Sequence, residues 1–369
     1  MKPLGTIALA VVFALATISA NAAHSQEPLV LKGHTSRVST VAWANDGNSL
    51  ATASVDRSIR VWDSVTGKQV ADLQGIARIG PGGPVVAFTA DLKHMAVNYW
   101  GKISISSLPD KKLLTEIDPI LDRGEKTAAH RPDVFAMAFS PDGKWLATGG
   151  SIAGVGGRHG LPGGIVVVWD AVSGKIAHRS DKLSTAVSSV AWSADSKRLV
   201  AGTSGAGGEL PEAGEVWVWD TETLKPLRHF SVKPETTYGE WVSAADVAIS
   251  PDGRSVAVPL TAGSRGVPAG IILNDTGATI RVWELESGKE TTLVKGLKVG
   301  VRGVVFSPDG NRLATAGGDM VVRIWDLETG KQLATLQSSD KIEVVAFSPD
   351  GKSLAAGSAD GTVRVWVTK

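Results

Sequence analysis

His34, Ser54 and Asp56 lie within one short stretch of the chain. These three residue types can build a nucleophilic relay, in which a carboxylate orients an imidazole that takes up a hydroxyl proton. Whether they do depends on where the fold puts them. A second stretch is rich in glycine: Gly154, Gly156, Gly157, Gly160, Gly163 and Gly164. With Arg158 and His159 it could form a backbone nest for an anion. No helix pattern and no Lys-Ser/Thr pair follows it, so it does not match a nucleotide-binding fingerprint, and a flexible loop is the expected structure. Asp246 stands in an otherwise apolar run. A carboxylate there needs a partner, and Arg302 in the following unit is the expected one. The seven His are scattered without metal-ligand spacing, and the chain has no Cys. No thiolate ligand, thiol nucleophile or disulfide is available. No catalytic residue, metal site or cofactor is expected.

The elements that must position these residues repeat. Ser-Pro-Asp-Gly begins at Ser140, Ser250, Ser307 and Ser348, with weaker copies at Ala44, Thr89 and Ser193. Each follows a β-rich run ending in Trp43, Phe88, Phe139, Trp192, Ile249, Phe306 or Phe347. Pro followed by Asp-Gly is a tight-turn signal between strands. A second run follows, and a third ends at Trp62, Trp169, Trp219, Trp283, Trp325 and Trp366, with Ser106 at the corresponding place in the second copy. Gly67, Gly174, Gly288 and Gly330 come five residues after such a Trp and suit the left-handed position of a hairpin loop leading to a fourth strand. Seven units of four short antiparallel strands result, here called a, b, c and d.

Spacing near 40 residues with Gly-His and Trp-Asp marks is a propeller signature. The chain resembles the WD-repeat family, through Gly33-His34, Ser54, Asp56 and Trp62-Asp63 in the first unit and their in-register copies. The resemblance implies an all-β, seven-bladed β-propeller with four-stranded antiparallel blades. The seventh unit stops at its third strand, and Leu29-Val30-Leu31 is a spare strand near the other end. That N-terminal strand is expected to complete the last blade and close the ring. The resemblance also implies that His34, Ser54, Asp56 and Trp62 form a structural hydrogen-bonded set within the first blade, which removes the trio from catalysis.

Residues 1–22 form a separate segment. Lys2 precedes an apolar run from Ile7 to Ile18, and Ala20-Asn21-Ala22 has the small-x-small pattern of a secretory cleavage site. The run is shorter than the ~20 residues that span a bilayer. A signal peptide cut after Ala22 is expected, leaving one propeller over residues 23–369 with no membrane span. Export to the periplasm or the extracellular space follows. The formal net charge of +1 argues against a nucleic-acid partner, which calls for a basic field.

The units differ mainly in two connections. The b–c connection is long in copies three, four and five, at residues 151–164, 203–214 and 259–279. The d–a connection is long at residues 118–132 and 233–242. In an up-and-down blade, b–c and d–a connections emerge on one face, and a–b and c–d on the other. All the insertions therefore fall on one face, over blades two to five. Insertions on one face of a repeat array commonly mark the binding face. Tyr99, Trp100, Tyr238 and Trp241 fall in these connections, with Arg123, Arg158, His159 and Arg265. Aromatic and Arg residues are the usual interface anchors. The expected function is a monomeric, non-catalytic interaction scaffold for a protein or peptide on this face. The alternative is a propeller enzyme, of hydrolase type, or a small-ligand or anion binder using the same face or the central channel.

Overall fold

A computed structural model describes residues 27–75, 84–99, 102–108, 110–118, 133–156, 162–181, 183–203, 214–223, 225–232, 240–244, 246–264, 278–297 and 300–368. These residues form seven antiparallel sheets and no helix. Blade 1 runs Val38–Trp43, Ser49–Ser54, Ser58–Asp63 and Gln69–Gln74 as strands a to d. The other blades repeat this order. Strand a of each blade touches strand a of the next around the whole ring, so the first strands form the inner circle. Blade 7 has three strands of its own, Ile342–Phe347, Ser353–Ser358 and Val363–Val367. Its fourth is Leu29–Leu31, paired antiparallel with Leu29 opposite Val365 and Leu31 opposite Val363. The ring closes through the strand expected to close it.

The turns form for local reasons. At Ser140-Pro141-Asp142-Gly143 the Ser hydroxyl donates to Asp142 at 2.6 Å, and the Gly143 amide donates to the Ser140 carbonyl at 2.8 Å. Gly143 then takes φ 73°, a conformation that favours a residue without Cβ. The c–d hairpins rest on the Asp of Trp-Asp. Asp63 accepts the amide and the hydroxyl of Thr66, each at 2.7 Å, and Gly67 follows at φ 71°. Asp170, Asp220 and Asp326 repeat this bond pattern.

The core lies between blades rather than within them. Leu31, Val363 and Val365 of blade 7 pack with Val38, Leu50 and Trp62 of blade 1 in one buried cluster. A comparable cluster fills each of the six other blade interfaces. A blade therefore has no complete core without its neighbours, and ring closure stabilises every blade.

The insertions depart from plain loops in two places. In blade 3, strand b extends over Trp145–Gly156 and strand c over Pro162–Asp170, with Ser151 opposite Gly164 and Gly156 opposite Pro162. Gly154, Gly156, Gly163 and Gly164 thus lie in a β-ribbon, where a flexible loop was expected; Gly157, Arg158, His159 and Gly160 lie outside the described residues. In blade 5, strand a is split into Glu240–Ala244 and Ala248–Ile249, and both pieces pair with a long strand b, Ser255–Ser264. In blade 4, Thr203 and Gly214 belong to strands b and c, so the insertion proper is residues 204–213.

Candidate functional site

The trio of blade 1 is part of a buried relay. Trp62 Nε1 donates to Thr52 Oγ1 at 2.9 Å, and Thr52 Oγ1 lies 2.8 Å from His34 Nε2. His34 Nδ1 lies 3.0 Å from Asp56 Oδ2 and 2.9 Å from Ser58 Oγ. Each member is satisfied when His34 is neutral with its proton on Nδ1. Thr52 then donates to Nε2, and Nδ1–H donates to Asp56. Burial lowers the His34 pKa, against the opposing pull of Asp56, so the neutral form is favoured. Burial pushes the Asp56 carboxyl up, but hydrogen bonds from the Ser58 hydroxyl and from the Thr35 and Ser58 amides outweigh it and bring it down to about 2.

The hydroxyl between His34 and Trp62 is that of Thr52. Ser54, two residues along strand b, donates instead to the Ser36 carbonyl at 2.9 Å and accepts the Asp56 amide at 3.1 Å. Thr52 and Ser54 are both buried, so neither hydroxyl can reach a substrate. A Cβ at Gly33 would displace the flexible end of Arg60 and press on the Trp62 ring. Trp169 and Trp325 donate to Thr148 and Thr315, each at 2.9 Å. Blades 1, 3 and 6 share the triplet Leu-Ala-Thr on strand b, a signal from which the Thr partner could have been found. Blade 5 has Val258 there, and its Trp283 turns to Glu290.

Asp246 is not paired with Arg302. Its Oδ1 accepts the Ser189 hydroxyl of blade 4 at 2.8 Å and the Val247 amide at 2.9 Å. Its Oδ2 accepts the Val304 amide of blade 6 at 2.9 Å. One carboxylate thus brackets three successive blades, at the break in strand a of blade 5. Part of the residue reaches solvent, but the carboxyl group is enclosed, and that burial pushes its pKa up. Arg302 pairs instead with Glu343 of blade 7 at 2.7 Å, and Arg37 of blade 1 lies 3.8 Å from the same carboxylate.

These charges stand at the start of the inner strands, on the insertion face. A register bulge recurs near the start of strand a in five blades, at Ser39, Phe135, Ser188, Arg302 and Glu343. A bulge re-aims its side chain and ends regular pairing. Here the bulged residues follow one another around the mouth of the channel. Phe135 is 49% exposed among them, an aromatic that the sequence reading passed over. Its signal was a large apolar residue where other copies carry Ser or a charge.

Tyr99 ends strand b of blade 2, opposite Lys102. Trp241 lies in the added strand of blade 5, opposite Gly263. Both are on the insertion face by backbone position. Trp100, Arg123, Arg158, His159, Tyr238 and Arg265 lie outside the described residues. Among the described residues no group of three or more His, Cys, Asp or Glu could hold a metal ion, and no helix is long and apolar enough to cross a membrane.

Four stretches of the chain, residues 25–63, 125–170, 289–326 and 330–367, match the family model for the WD domain, G-beta repeat. Two curated relatives show the range of similarity. The small ribosomal subunit protein RACK1 of Caenorhabditis elegans is 28% identical over 117 residues, covering 32% of this chain and 35% of that protein. Protein FIZZY-RELATED 1 of Arabidopsis thaliana is 21% identical over 284 residues, covering 76% of this chain and 49% of that protein. The chain thus spans between a third and a half of the length of these relatives. Four WD-repeat stretches set in a closed ring of seven four-stranded blades make this chain a seven-bladed β-propeller similar to WD-repeat proteins.

Proposed function

We propose that the protein is an exported, non-catalytic WD-repeat scaffold that binds a protein or peptide partner through the face bearing the long b–c and d–a connections. The observation that carries the reading is the asymmetry of the ring. On one face, blades 3 and 5 are raised by extended ribbons; on the other, the chain turns in short hairpins at each blade. Exposed Phe135 and the Arg302–Glu343–Arg37 cluster at the channel mouth add an apolar anchor and fixed charges to the same face. The similarity to WD-repeat proteins supports a scaffold role. Propellers host several functions, so the fold by itself does not select one.

Crosslinking capture from the exported fraction tests this reading. Deletion of residues 204–213, Trp241→Ala and Phe135→Ala are each expected to reduce capture of the same partner while cooperative unfolding of the ring is retained. Undiminished capture by all three variants would refute the assignment of the face. Mass spectrometry of the exported protein is expected to find Ala23 at the N-terminus; a retained leader would refute the cleavage site.

A further inference from the structure

Interblade clefts open on the opposite face, where a–b turns meet c–d hairpins, and three among the described residues differ in character. The cleft between blades 5 and 6, about 460 Å³, is lined by Asp252 and Asp309 and by no cation. The cleft between blades 7 and 1, about 530 Å³, carries Glu27, Asp46 and Asp350, again without a cation. The cleft between blades 4 and 5, about 510 Å³, has the reverse character: it is lined by Arg198, Arg228 and Arg254, with Glu286 as its one carboxylate. Single cations recur at these positions: Arg312 holds the Gly351 carbonyl as Arg198 holds Gly253, and Lys93, Lys144, Lys197 and Lys352 stand where blade 5 has Arg254. The cleft between blades 4 and 5 is set apart by adding Arg228 to this pair.

Two of the three guanidinium groups are held in place. Arg198 Nη1 donates to the Gly253 carbonyl of blade 5. Arg228 donates through Nε to the Leu285 carbonyl at 2.7 Å and through Nη2 to the Glu286 carbonyl at 2.5 Å. Carbonyl partners fix a guanidinium without cancelling its charge, and they leave other N–H groups to donate elsewhere. Arg254 forms no side-chain hydrogen bond or ion pair with a described residue; it is exposed, and its backbone amide is tied to Asp252 at 3.0 Å. The rest of the lining is apolar: Val218 and Leu285 are core residues buried beneath its floor, and Leu227 is 43% exposed at the outer edge.

We propose that this cleft binds an acidic segment of a partner protein, taking a carboxylate between the arginines and a neighbouring apolar side chain against Leu227. Fixed guanidinium groups suit a planar carboxylate, because two N–H groups can meet two oxygens without first being ordered. The apolar wall gives no benefit to a bare inorganic anion. Glu286 at the rim, with Asp195 and Asp220 close enough to sense the Arg198 charge, repels a dense polyanion. The site lies on the face away from the insertions and stands independently of the role proposed for them.

Fluorescence anisotropy of the full propeller tests the assignment. The probe is a labelled peptide centred on Leu-Glu-Leu, with the Leu-Gln-Leu peptide and tripolyphosphate for comparison. The Glu peptide is expected to bind at least about tenfold more tightly than the Gln peptide, the size of one charge-assisted contact. Raising the salt from about 0.05 M to about 0.5 M should weaken binding. Arg254→Ala is expected to lower affinity about five- to tenfold and Arg254→Glu to abolish binding. Arg254→Ala should leave the unfolding midpoint nearly unchanged, because this exposed side chain makes no hydrogen bond or ion pair with a described residue and acts only through its charge on Asp252; Arg254→Glu should still unfold cooperatively. Glu286→Gln should strengthen binding. Equal affinity for the two peptides, or full affinity in Arg254→Glu, would overturn the proposal. Tripolyphosphate binding more tightly than the Glu peptide would overturn the choice of a carboxylate ligand.

Discussion

Replacing Asp246 tests whether one carboxylate ties blades 4, 5 and 6 together. In Asp246→Ala the Val304 amide loses its acceptor at a residue only 5% exposed, while the Val247 amide keeps the Ser189 hydroxyl oxygen at 3.3 Å. A buried donor left unpaired costs about 1–3 kcal/mol. The Ser189 hydroxyl can rotate to another acceptor and still accept the Val247 amide, so one orphaned amide sets the scale. The expected loss is roughly 1–3 kcal/mol, reduced by whatever the enclosed carboxyl group itself costs. Asp246→Asn keeps one oxygen but turns an NH2 group towards a donor, and should lose less than the Ala variant.

The dependence on pH separates this account from a simple packing effect. Burial raises the Asp246 pKa in the folded protein above its ordinary value of 3.8. The stabilisation from its protonation is then fully present below 3.8 and is lost as the pH rises through the folded value. Asn does not titrate. The wild-type advantage over Asp246→Asn should therefore be largest in acid and should shrink towards neutral pH. Urea unfolding of both proteins across this range gives the difference directly. An advantage that grows with pH would show that the fold favours the charged form and would refute the argument from burial. An Asp246→Ala variant as stable as wild type would refute the bracket itself.

Two further predictions concern the Trp partners. Thr52→Val keeps shape but orphans Trp62 Nε1 and His34 Nε2, and should cost more than Thr148→Val or Thr315→Val, each of which orphans one indole at about 1–3 kcal/mol; equal losses in urea unfolding at all three sites would show that the His34 link adds nothing. The same relay gives the wild type two acid-sensitive steps. His34 is depressed below 6.5, so its contribution is present above that value and is lost as the pH falls through its lower folded value; Asp56, at about 2 against 3.8, contributes above 3.8 and loses its contribution as the pH falls to about 2. His34→Gln should remove the first step from a plot of stability against pH, and a persisting step would assign it to another group.

The hairpins were legible from the sequence because their causes are local. Asp142 and Gly143 complete a turn with Ser140 whatever the rest of the ring does, and Asp63 closes its hairpin with Thr66. The count of seven blades and the closing role of Leu29–Leu31 were also legible, since a repeat with a missing strand needs that strand supplied elsewhere. Ser54 was read in place of Thr52 because both face the same side of strand b, two residues apart. The position of the Trp62 ring across the register, where Leu50 pairs with Trp62, selects Thr52.

The partners of Asp246 and Arg302 were not legible. Ser189, Val304 and Glu343 lie 41 to 58 residues away in neighbouring blades. Charge type alone suggested that Asp246 would meet Arg302; the bulges of strand a instead send Arg302 to the channel mouth, while backbone amides enclose the carboxylate. The basic cleft between blades 4 and 5 is of the same kind, since Arg198, Arg228 and Arg254 converge only when two blades stand side by side. The sequence by itself determined each blade, because strand period and turn chemistry act over a few residues. Only the closed ring decided which polar groups meet between blades, because that depends on how neighbouring sheets are stacked and rotated about the channel.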